Sequence, residues 1–330
     1  MRDLKFHSFN EYLYNPNIIT NNHSDLYADI LIIKEQYFTH EITNTDLYFR
    51  EIDRIKKIKK NNPKIKLLFI AIGERENYHE FINIINILDF DKNDVFLLSQ
   101  SLIADSDEEF IRFPMEFNLF PIIIEPYIQS RHIQLLETYP YLKYKNYNKN
   151  FKYYCSNRKP NKDRDLFDKL VIKKEDDGVY TYPAINSNIS YHHHLENYRN
   201  SYTLFSFETA HHGENIHMTE KSLSCFSTNS LFFIFDYNGQ IDFLKRKIGL
   251  KDFDDIFTND SLYRNQSLVD EDRVKHYSDL FNKVVNLNMN SIIEIYNSAE
   301  VRDRLSNNYE ITRMFFDLPS LVKKFNTILS

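Results

Sequence analysis

Short runs of apolar residues alternate along the chain with segments in which apolar residues recur at helical spacing. In the first half, the runs at 28–33, 67–72 and 94–99 have the length and nearly continuous apolar character of strands buried on both faces. Between them, 51–62 and 78–88 have helical period, and the first of these carries lysines on its outer face. This order predicts a parallel sheet covered by helices.

The second half of the chain repeats this order. Strands are predicted at 151–156, 202–208 and 230–235. Helices are predicted at 164–171, 220–229, 273–287 and through the last 25 residues. Residues 137–150 are rich in Tyr, Lys and Asn without period, so we interpret them as the connection. Two successive parallel α/β units predict two facing Rossmann-like domains, 1–145 and 146–305.

Composition narrows the class of protein. Of the 330 residues, 42% are apolar and 27% are charged, which is typical of a globular chain rather than a disordered one. The net charge of −6 gives no overall attraction to nucleic acid or to an anionic membrane, although it is compatible with a local basic patch. With only five glycines, the chain contains no GxGxxG or Walker A loop.

The cysteines and the N-terminus bear on the compartment. Cys155 and Cys225 form no CxxC motif or disulfide framework, and their apolar surroundings in sequence predict packed thiols. The first residues contain no signal-peptide core, and no apolar run reaches the ~18–20 residues of a membrane span. We therefore expect a cytoplasmic protein, of a microbe or of a host cell, without a membrane span.

Ligands of parallel α/β sheets gather where strands end and helices begin, so polar residues at those junctions are informative. Glu74 follows the apolar run 67–72 and Gly73. A carboxylate at this position can face the crevice as a base. Alternatively, Glu74 is a helix-opening charge that complements the helix dipole.

A second junction follows the predicted strand 151–156. Asn157 comes next, and after a proline-containing turn Arg164 opens a helix. An arginine at a helix N-terminus opposes the dipole, which makes sense if an anion such as a diphosphate binds there. A solvated basic turn accounts for the same residues equally well.

A third junction lies between 202–208 and 220–229. Glu208 ends the strand, Thr219 is placed as an N-cap, and Glu220 and Lys221 open the helix. A carboxylate here can accept hydrogen bonds from a ribose diol, and the lysine can meet a phosphate. A plain capped helix is the alternative, although it explains the lysine in the first turn less well.

Histidines and aspartates raise the question of a metal site. His192–His194 are consecutive and cannot all converge on one ion in regular structure. Three further histidines lack partners at a recognised metal spacing: His211, His212 and His217. We therefore expect no metal. Asp-x-Asp triplets arise easily in so acidic a chain, and we expect them on solvated surface: Asp105/Asp107, Asp163/Asp165, Asp252/Asp254 and Asp270/Asp272.

Four segments occur in the order found in a known family. They are IGEREN (72–77), EEFIRFPMEFN (108–118), YYCSNRKPNKDRDLFDKL (153–170) and FSFETAHHGENIHMTEKSL (205–223). The first is similar to a "GEN" segment and the last to a "TEK" signature. In these segments the chain resembles the α1,3/4-fucosyltransferase family and its bacterial and viral relatives. The resemblance covers about residues 67–240.

The resemblance implies a GT-B fold, whose C-terminal helix, 306–330 here, packs back on the N-terminal domain. It implies an inverting transfer of a fucose-like sugar, from GDP-fucose or a related nucleotide sugar, to a hydroxyl of a glycan. Glu74 would be the general base of the acceptor domain. The donor would be bound by Asn157, with Ser156 beside it, and by Arg164, Glu208, Thr219, Glu220 and Lys221. Neither a metal nor another cofactor is implied, because Arg164 and Lys221 would neutralise the leaving diphosphate.

Departures from the family pattern leave the sugar and the nucleotide open. Thr209 replaces the family's Asn, and the aromatic residue expected before TEK is absent where His217 and Met218 stand. One alternative is a phage- or virus-type transferase that modifies a DNA base or a protein. The acidic net charge argues mildly against a nucleic-acid acceptor, and lysines at 56–60 and 143–152 keep this alternative open. The other alternative is a catalytically silent module that binds nucleotide sugars.

Overall fold

The computed structural model describes the chain in ranges separated by gaps. These ranges are 6–8, 30–34, 45–71, 85–99, 111–112, 149–157, 160–174, 176–182, 191–208, 220–237, 239–258, 261–315 and 327. The chain divides into two compact units, 1–138 with 317–330 and Tyr139–Phe316. The last described long helix, Ala299–Phe315, lies wholly in the second unit, and the predicted domain boundaries stay a prediction.

The first unit contains a parallel sheet. Its strands are β1 (Phe6–Ser8), β2 (Ile30–Lys34), β3 (Lys66–Ala71), β4 (Val95–Ser99) and β5 (Ile111–Arg112). They pair in the order β1-β2-β3-β4-β5, and every pair is parallel.

Helix α1 (Thr45–Asn61) lies between β2 and β3 along the chain. It buries Ile52, Ile55 and Ile58, so the predicted apolar face is confirmed. The helix begins earlier than the isoleucine spacing alone indicated.

The second unit contains a second parallel sheet. Its strands are β6 (Phe151–Ser156), β7 (Gly178–Tyr180), β8 (Ser201–Phe207) and β9 (Leu231–Phe235). Their order is β7-β6-β8-β9. The helices are α2 (Lys162–Leu170), α3 (Tyr191–Asn200), α4 (Glu220–Ser227), α5 (Gln240–Ile248), α6 (Asp254–Phe257), α7 (Asp270–Asn286), α8 (Met289–Asn297) and α9 (Ala299–Phe315). The two parallel sheets confirm the predicted mixed α/β class.

Aromatic side chains fill the core of the second unit. Phe205 stacks on Phe233 with 5.0 Å between ring centroids, and Phe207 stacks on Phe235 at 4.9 Å. Tyr277 from α7 packs edge-on against this layer, and its hydroxyl donates to the carbonyl oxygen of Phe233 at 2.8 Å. Strands buried on both faces read as continuous apolar runs, which is why the sequence pattern locates β6, β8 and β9 to within a residue.

The strand order of the second sheet creates a switch point. The chain leaves β6, adds β7 on one side, and then returns through α3 to place β8 on the other side. In open parallel sheets the crevice outside the carboxyl ends of the strands at such a point is where ligands bind. Here that crevice lies between the ends of β6 and β8.

One prediction about surface aspartates is wrong. Asp254 is buried and Asp252 is half-buried, because both pair with the buried guanidinium of Arg264 at 3.0 and 2.7 Å. The hydroxyl of Tyr263 also donates to Asp254 at 2.6 Å. Buried carboxylates need such partners, and a triplet spacing does not reveal a partner ten residues away. In the triplet Asp270/Asp272, Asp270 is exposed, as predicted, and Asp272 is half-buried.

None of the described helices is long and apolar enough to cross a membrane.

Candidate functional site

Three polar residues follow directly on neighbouring strands of the second sheet. Asn157 follows β6, Glu208 follows β8 and Asp236 follows β9, and all three side chains are buried. Because the strands are parallel and adjacent, these residues share one edge of the sheet, which we call the carboxyl edge. Two of the three, Asn157 and Glu208, flank the switch point.

Asn157 is the most unusual residue of this edge. Its side chain is 0% exposed, and neither Oδ1 nor Nδ2 forms a hydrogen bond of good geometry with a described residue, although the hydroxyl of Tyr180 is its polar neighbour. This hydroxyl, at the end of the neighbouring strand β7, is likewise buried and interacts with Asn157 and Asp168 without a hydrogen bond of good geometry. A buried polar group without a partner costs about 1–3 kcal/mol, so native proteins rarely retain one without a use. The donor contact predicted for Asn157 stays a prediction.

Arg164 reaches the switch point from the first turn of α2. The side chain of Asn161 caps this helix by accepting from the backbone N–H of Arg164 at 2.8 Å. Arg164 turns inward with Phe167, and only 4% of it is exposed. From Nη2 the guanidinium donates to the carbonyl oxygens of Phe207 and Glu208, at 3.1 and 3.2 Å. These bonds tie the guanidinium to the end of β8.

Glu208 faces the start of α4. One carboxylate oxygen, Oε1, accepts from the backbone N–H of Ser222 at 3.3 Å and from the hydroxyl of the same residue. Gln240, at the start of α5, donates to the Ser222 hydroxyl oxygen at 3.1 Å. A carboxylate at a helix N-terminus complements the dipole, so Glu208 fixes where α4 begins.

Lys221 is half-buried in the first turn of α4, one residue after Glu220 opens the helix. The helix start predicted at Glu220 is confirmed. Ser222, the next residue, is held by Glu208, so the backbone that carries Lys221 is anchored at the carboxyl edge. The cation therefore lies in the same helix turn as the contact that flanks the switch point.

Two tyrosines hold the carboxylates on either side of Arg164. Tyr237, just after β9, donates from its hydroxyl to Oδ2 of Asp163 at 3.0 Å. Tyr182, shortly after β7, donates to Oδ1 of Asp165. The first turn of α2 is therefore tied to the ends of both outer strands of the sheet.

Asp236 is held by groups from three elements. Its Oδ2 accepts from the backbone N–H of Ile241 at 2.9 Å and its Oδ1 from Gln266 at 3.1 Å. Arg273 of α7, which is almost fully buried, donates to its carbonyl oxygen and lies 3.8 Å from Oδ1. Burial raises the pKa of Asp236, and Arg264 and Arg273 oppose that rise. This cluster fixes the chain just before Tyr237.

Several predicted site residues lie outside the described part of the chain. These are Glu74, Thr219, Thr209 and the histidines at 211, 212 and 217. His192–His194 lie in α3. Among the described residues, no group of three or more His, Cys, Asp or Glu side chains is placed to hold a metal ion.

Both cysteines are buried, as predicted. Cys155 lies in β6 and Cys225 in α4, and neither forms a disulfide. Burial raises the pKa of both thiols, so they remain protonated and packed rather than nucleophilic.

Sequence reasoning missed several residues that shape this edge. Tyr182, Tyr237 and Arg273 carry no motif, because their partners are distant in sequence. Tyr237 has one usable signal, since it follows a buried strand within the segment FDYNG (235–239). The sequence signal for Arg273 is weaker: it stands beside Val274 on the buried face of an amphipathic helix.

Comparisons with known proteins add little. No family model matches the chain, and no curated protein matches it. A solved structure described as an alpha1,3-fucosyltransferase matches 92% of this chain and 78% of its own. The identity is 13% and the TM-score is 0.39, so the likeness is distant and concerns the fold alone. We therefore infer function from the residues of the carboxyl edge.

Proposed function

We propose that this chain is a glycosyltransferase whose nucleotide-sugar donor binds at the carboxyl edge of the second sheet. The observation that carries the proposal is Asn157, a buried amide at the switch point that forms no hydrogen bond of good geometry with a described residue and has the Tyr180 hydroxyl as its polar neighbour. An amide both donates and accepts, which suits the hydroxyls and carbonyls of a nucleoside or a sugar. The motif resemblance at 153–170 and 205–223 agrees with this placement.

The donor diphosphate is assigned to Arg164 and Lys221. Both residues occupy first turns of helices that open at the same edge of the sheet. Helix N-termini alone do not make this edge attractive to anions, because Asp163, Asp165 and Glu208 already complement their dipoles. The two cations supply the positive charge that a leaving diphosphate needs, so we propose transfer without a metal ion.

The other predicted donor contacts divide into two kinds. Glu220 and Thr219 are assigned to the ribose and its neighbourhood, as the resemblance implies. Glu208 is assigned a positioning role for helix α4, because its carboxylate accepts hydrogen bonds from Ser222. Held in this way, Glu208 keeps the start of α4, and with it Lys221, at the switch point.

The transfer step follows inverting chemistry. Glu74 takes the proton of an acceptor hydroxyl, and the oxygen attacks the anomeric carbon from the face opposite the diphosphate. A new C–O bond forms as the bond between the anomeric carbon and the diphosphate oxygen breaks. Arg164 and Lys221 stabilise the negative charge that develops on the leaving nucleoside diphosphate. A positioned carboxylate base contributes about 10²–10⁴ to the rate of such a step. The nucleotide and the sugar are left open, with GDP-fucose and related donors as the first candidates.

One experiment tests the proposed function. Purified protein is incubated with a panel of nucleotide sugars and with glycan, protein and oligonucleotide acceptors, and the products are weighed by mass spectrometry. We expect transfer from one donor class, and we expect it to persist in a chelator. Binding of a nucleotide sugar without turnover would instead identify the silent binding module. Binding of none of the donors would refute the proposal.

A polyanionic acceptor is the second candidate, and helix α1 favours it. Lys56, Lys57 and Lys60 are exposed on this helix and Lys64 is exposed just beyond it, and no described carboxylate forms an ion pair with them. Such a row of unpaired charges on a chain of net charge −6 suits a phosphate backbone. For a nucleic-acid acceptor, binding weakens steeply with salt, whereas a neutral glycan gives no such slope.

A further inference from the structure

Arg164 lies between two carboxylates, and both are held by tyrosines. Asp163 and Asp165 are its immediate neighbours in the first turn of α2. Arg164 faces the sheet, so its neighbours in sequence lie to either side of it on the helix. Tyr237 holds Asp163 at 3.0 Å, and Tyr182 holds Asp165.

These carboxylates matter for any anion that binds at Arg164. Two negative charges beside the one guanidinium of this turn reduce its attraction for a diphosphate, and a carboxylate that rotates towards Arg164 would compete with the ligand for its N–H groups. A hydrogen bond that fixes the carboxylate elsewhere removes this competition.

Tyr237 is well placed for this task because the backbone that carries it is fixed. Tyr237 follows Asp236, which Arg273, Gln266 and Ile241 hold from three elements. Its ring packs edge-on against Phe235 with 5.3 Å between centroids. Burial raises the pKa of Tyr237, so its hydroxyl remains a donor throughout the physiological range.

We propose that Tyr237 and Tyr182 are positioning residues that hold Asp163 and Asp165 aside, so that Arg164 can receive the diphosphate of the donor. This inference rests on the proposed function, since it assumes an anion at Arg164. It predicts that loss of the Tyr237 hydroxyl weakens anion affinity because the Asp163 carboxylate is no longer held, and that neutralising Asp163 restores the affinity. If Tyr237 only stabilised α2, neutralising Asp163 would not restore the affinity.

The experiment is a double-mutant cycle on Tyr237 and Asp163. The affinities for inorganic pyrophosphate and for the nucleoside diphosphate that wild type binds best are measured by calorimetry. Tyr237→Phe keeps the ring and frees the carboxylate, so we expect affinity for both ligands to fall about threefold to tenfold. Asp163→Asn should bind at least as tightly as wild type. The double variant Tyr237→Phe/Asp163→Asn should recover the affinity of Asp163→Asn.

A matched control removes a tyrosine hydroxyl elsewhere. Tyr296 donates to the carbonyl oxygen of Asn229 at 2.8 Å, so Tyr296→Phe loses a comparable bond and should leave both affinities unchanged. Equal affinity of Tyr237→Phe and wild type, or a double variant as weak as Tyr237→Phe, would overturn the inference alone. Failure of wild type to bind pyrophosphate and every nucleoside diphosphate would overturn the proposed function and the inference with it.

Discussion

The guanidinium of Arg164 donates to the carbonyl oxygen of Phe207 over 3.1 Å, which joins the first turn of α2 to the end of β8. The two elements flank the switch point, since α2 follows β6 and β8 is the strand beside β6. This contact therefore bridges the two elements on either side of the switch point. The same guanidinium is the one assigned to the donor diphosphate, so its two tasks are coupled.

Replacement of Arg164 tests the assignment of the diphosphate. Charged hydrogen bonds contribute about 1.5–3 kcal/mol each, so Arg164→Ala should weaken nucleoside diphosphate affinity about tenfold to a hundredfold. Calorimetry measures the affinity, and thermal unfolding reports the stability lost with the β8 contact. Arg304→Ala is the control, because Arg304 pairs with Asp255 on a different part of the unit. Unchanged affinity in Arg164→Ala would place the diphosphate elsewhere.

Glu74→Gln separates catalysis from donor binding. The donor contacts are assigned to the second unit, so this variant should keep nucleotide affinity while its turnover falls about 10²–10⁴-fold. Product formation by mass spectrometry measures turnover, with calorimetry on the same sample for affinity. Glu76→Gln, two residues along, serves as the comparison and should keep most activity. Near wild-type transfer by Glu74→Gln would identify another residue as the base, with Glu76 and Glu208 next to test.

Lys149 makes the stability of the second unit depend on pH. Its Nζ donates to the carbonyl oxygens of Arg199 and Ser201 at 3.1 and 2.9 Å and to the hydroxyl of Ser230 at 2.5 Å. Burial among these neutral groups, and then the nearby Arg302, lower its pKa to about 7 from the ordinary value of 10.5. Between these two values the unfolded chain binds more protons than the folded one, so stability rises with pH across this window.

The Lys149→Met variant measures this contribution. Denaturant unfolding of wild type and variant at several pH values should show wild type gaining stability relative to the variant as pH rises from about 7 towards 10. Below pH 7 both states carry the charge, so the difference between the two proteins should be constant there. A difference that does not change with pH above 7 would show that Lys149 stays protonated in the folded chain.

The sequence predicted the strands well because burial on both faces leaves an unmistakable apolar run. β6, β8 and β9 were located in this way, as was the burial of Cys155. Arg164 was singled out because a cation in a first helix turn opposes the helix dipole, and its binding of a diphosphate stays a prediction. The sequence could not find Tyr237 or Arg273, since the hydrogen bonds that give them a task join residues 74 and 37 positions apart.

The central claim is that the buried amide of Asn157 binds the nucleotide-sugar donor, and one substitution tests this claim directly. Leucine has a similar shape and no polar atoms, so Asn157→Leu removes a buried amide that lacks a hydrogen bond of good geometry, and a poorly satisfied buried amide costs up to about 1–3 kcal/mol. We therefore expect a higher Tm, by about 2–4 °C for each kcal/mol. Nucleotide-sugar affinity should fall at least tenfold. Asn308 is the matched control, because this buried amide is bonded at both ends to Lys251, at 2.7 and 2.8 Å.

The measurement is nucleotide-sugar affinity and Tm on Asn157→Leu, Asn308→Leu and wild type in parallel. Asn308→Leu should lose stability and keep its affinity, whereas Asn157→Leu should gain stability and lose affinity. A lower Tm together with wild-type affinity in Asn157→Leu would contradict the claim, because Asn157 would then be a structural residue rather than a donor contact.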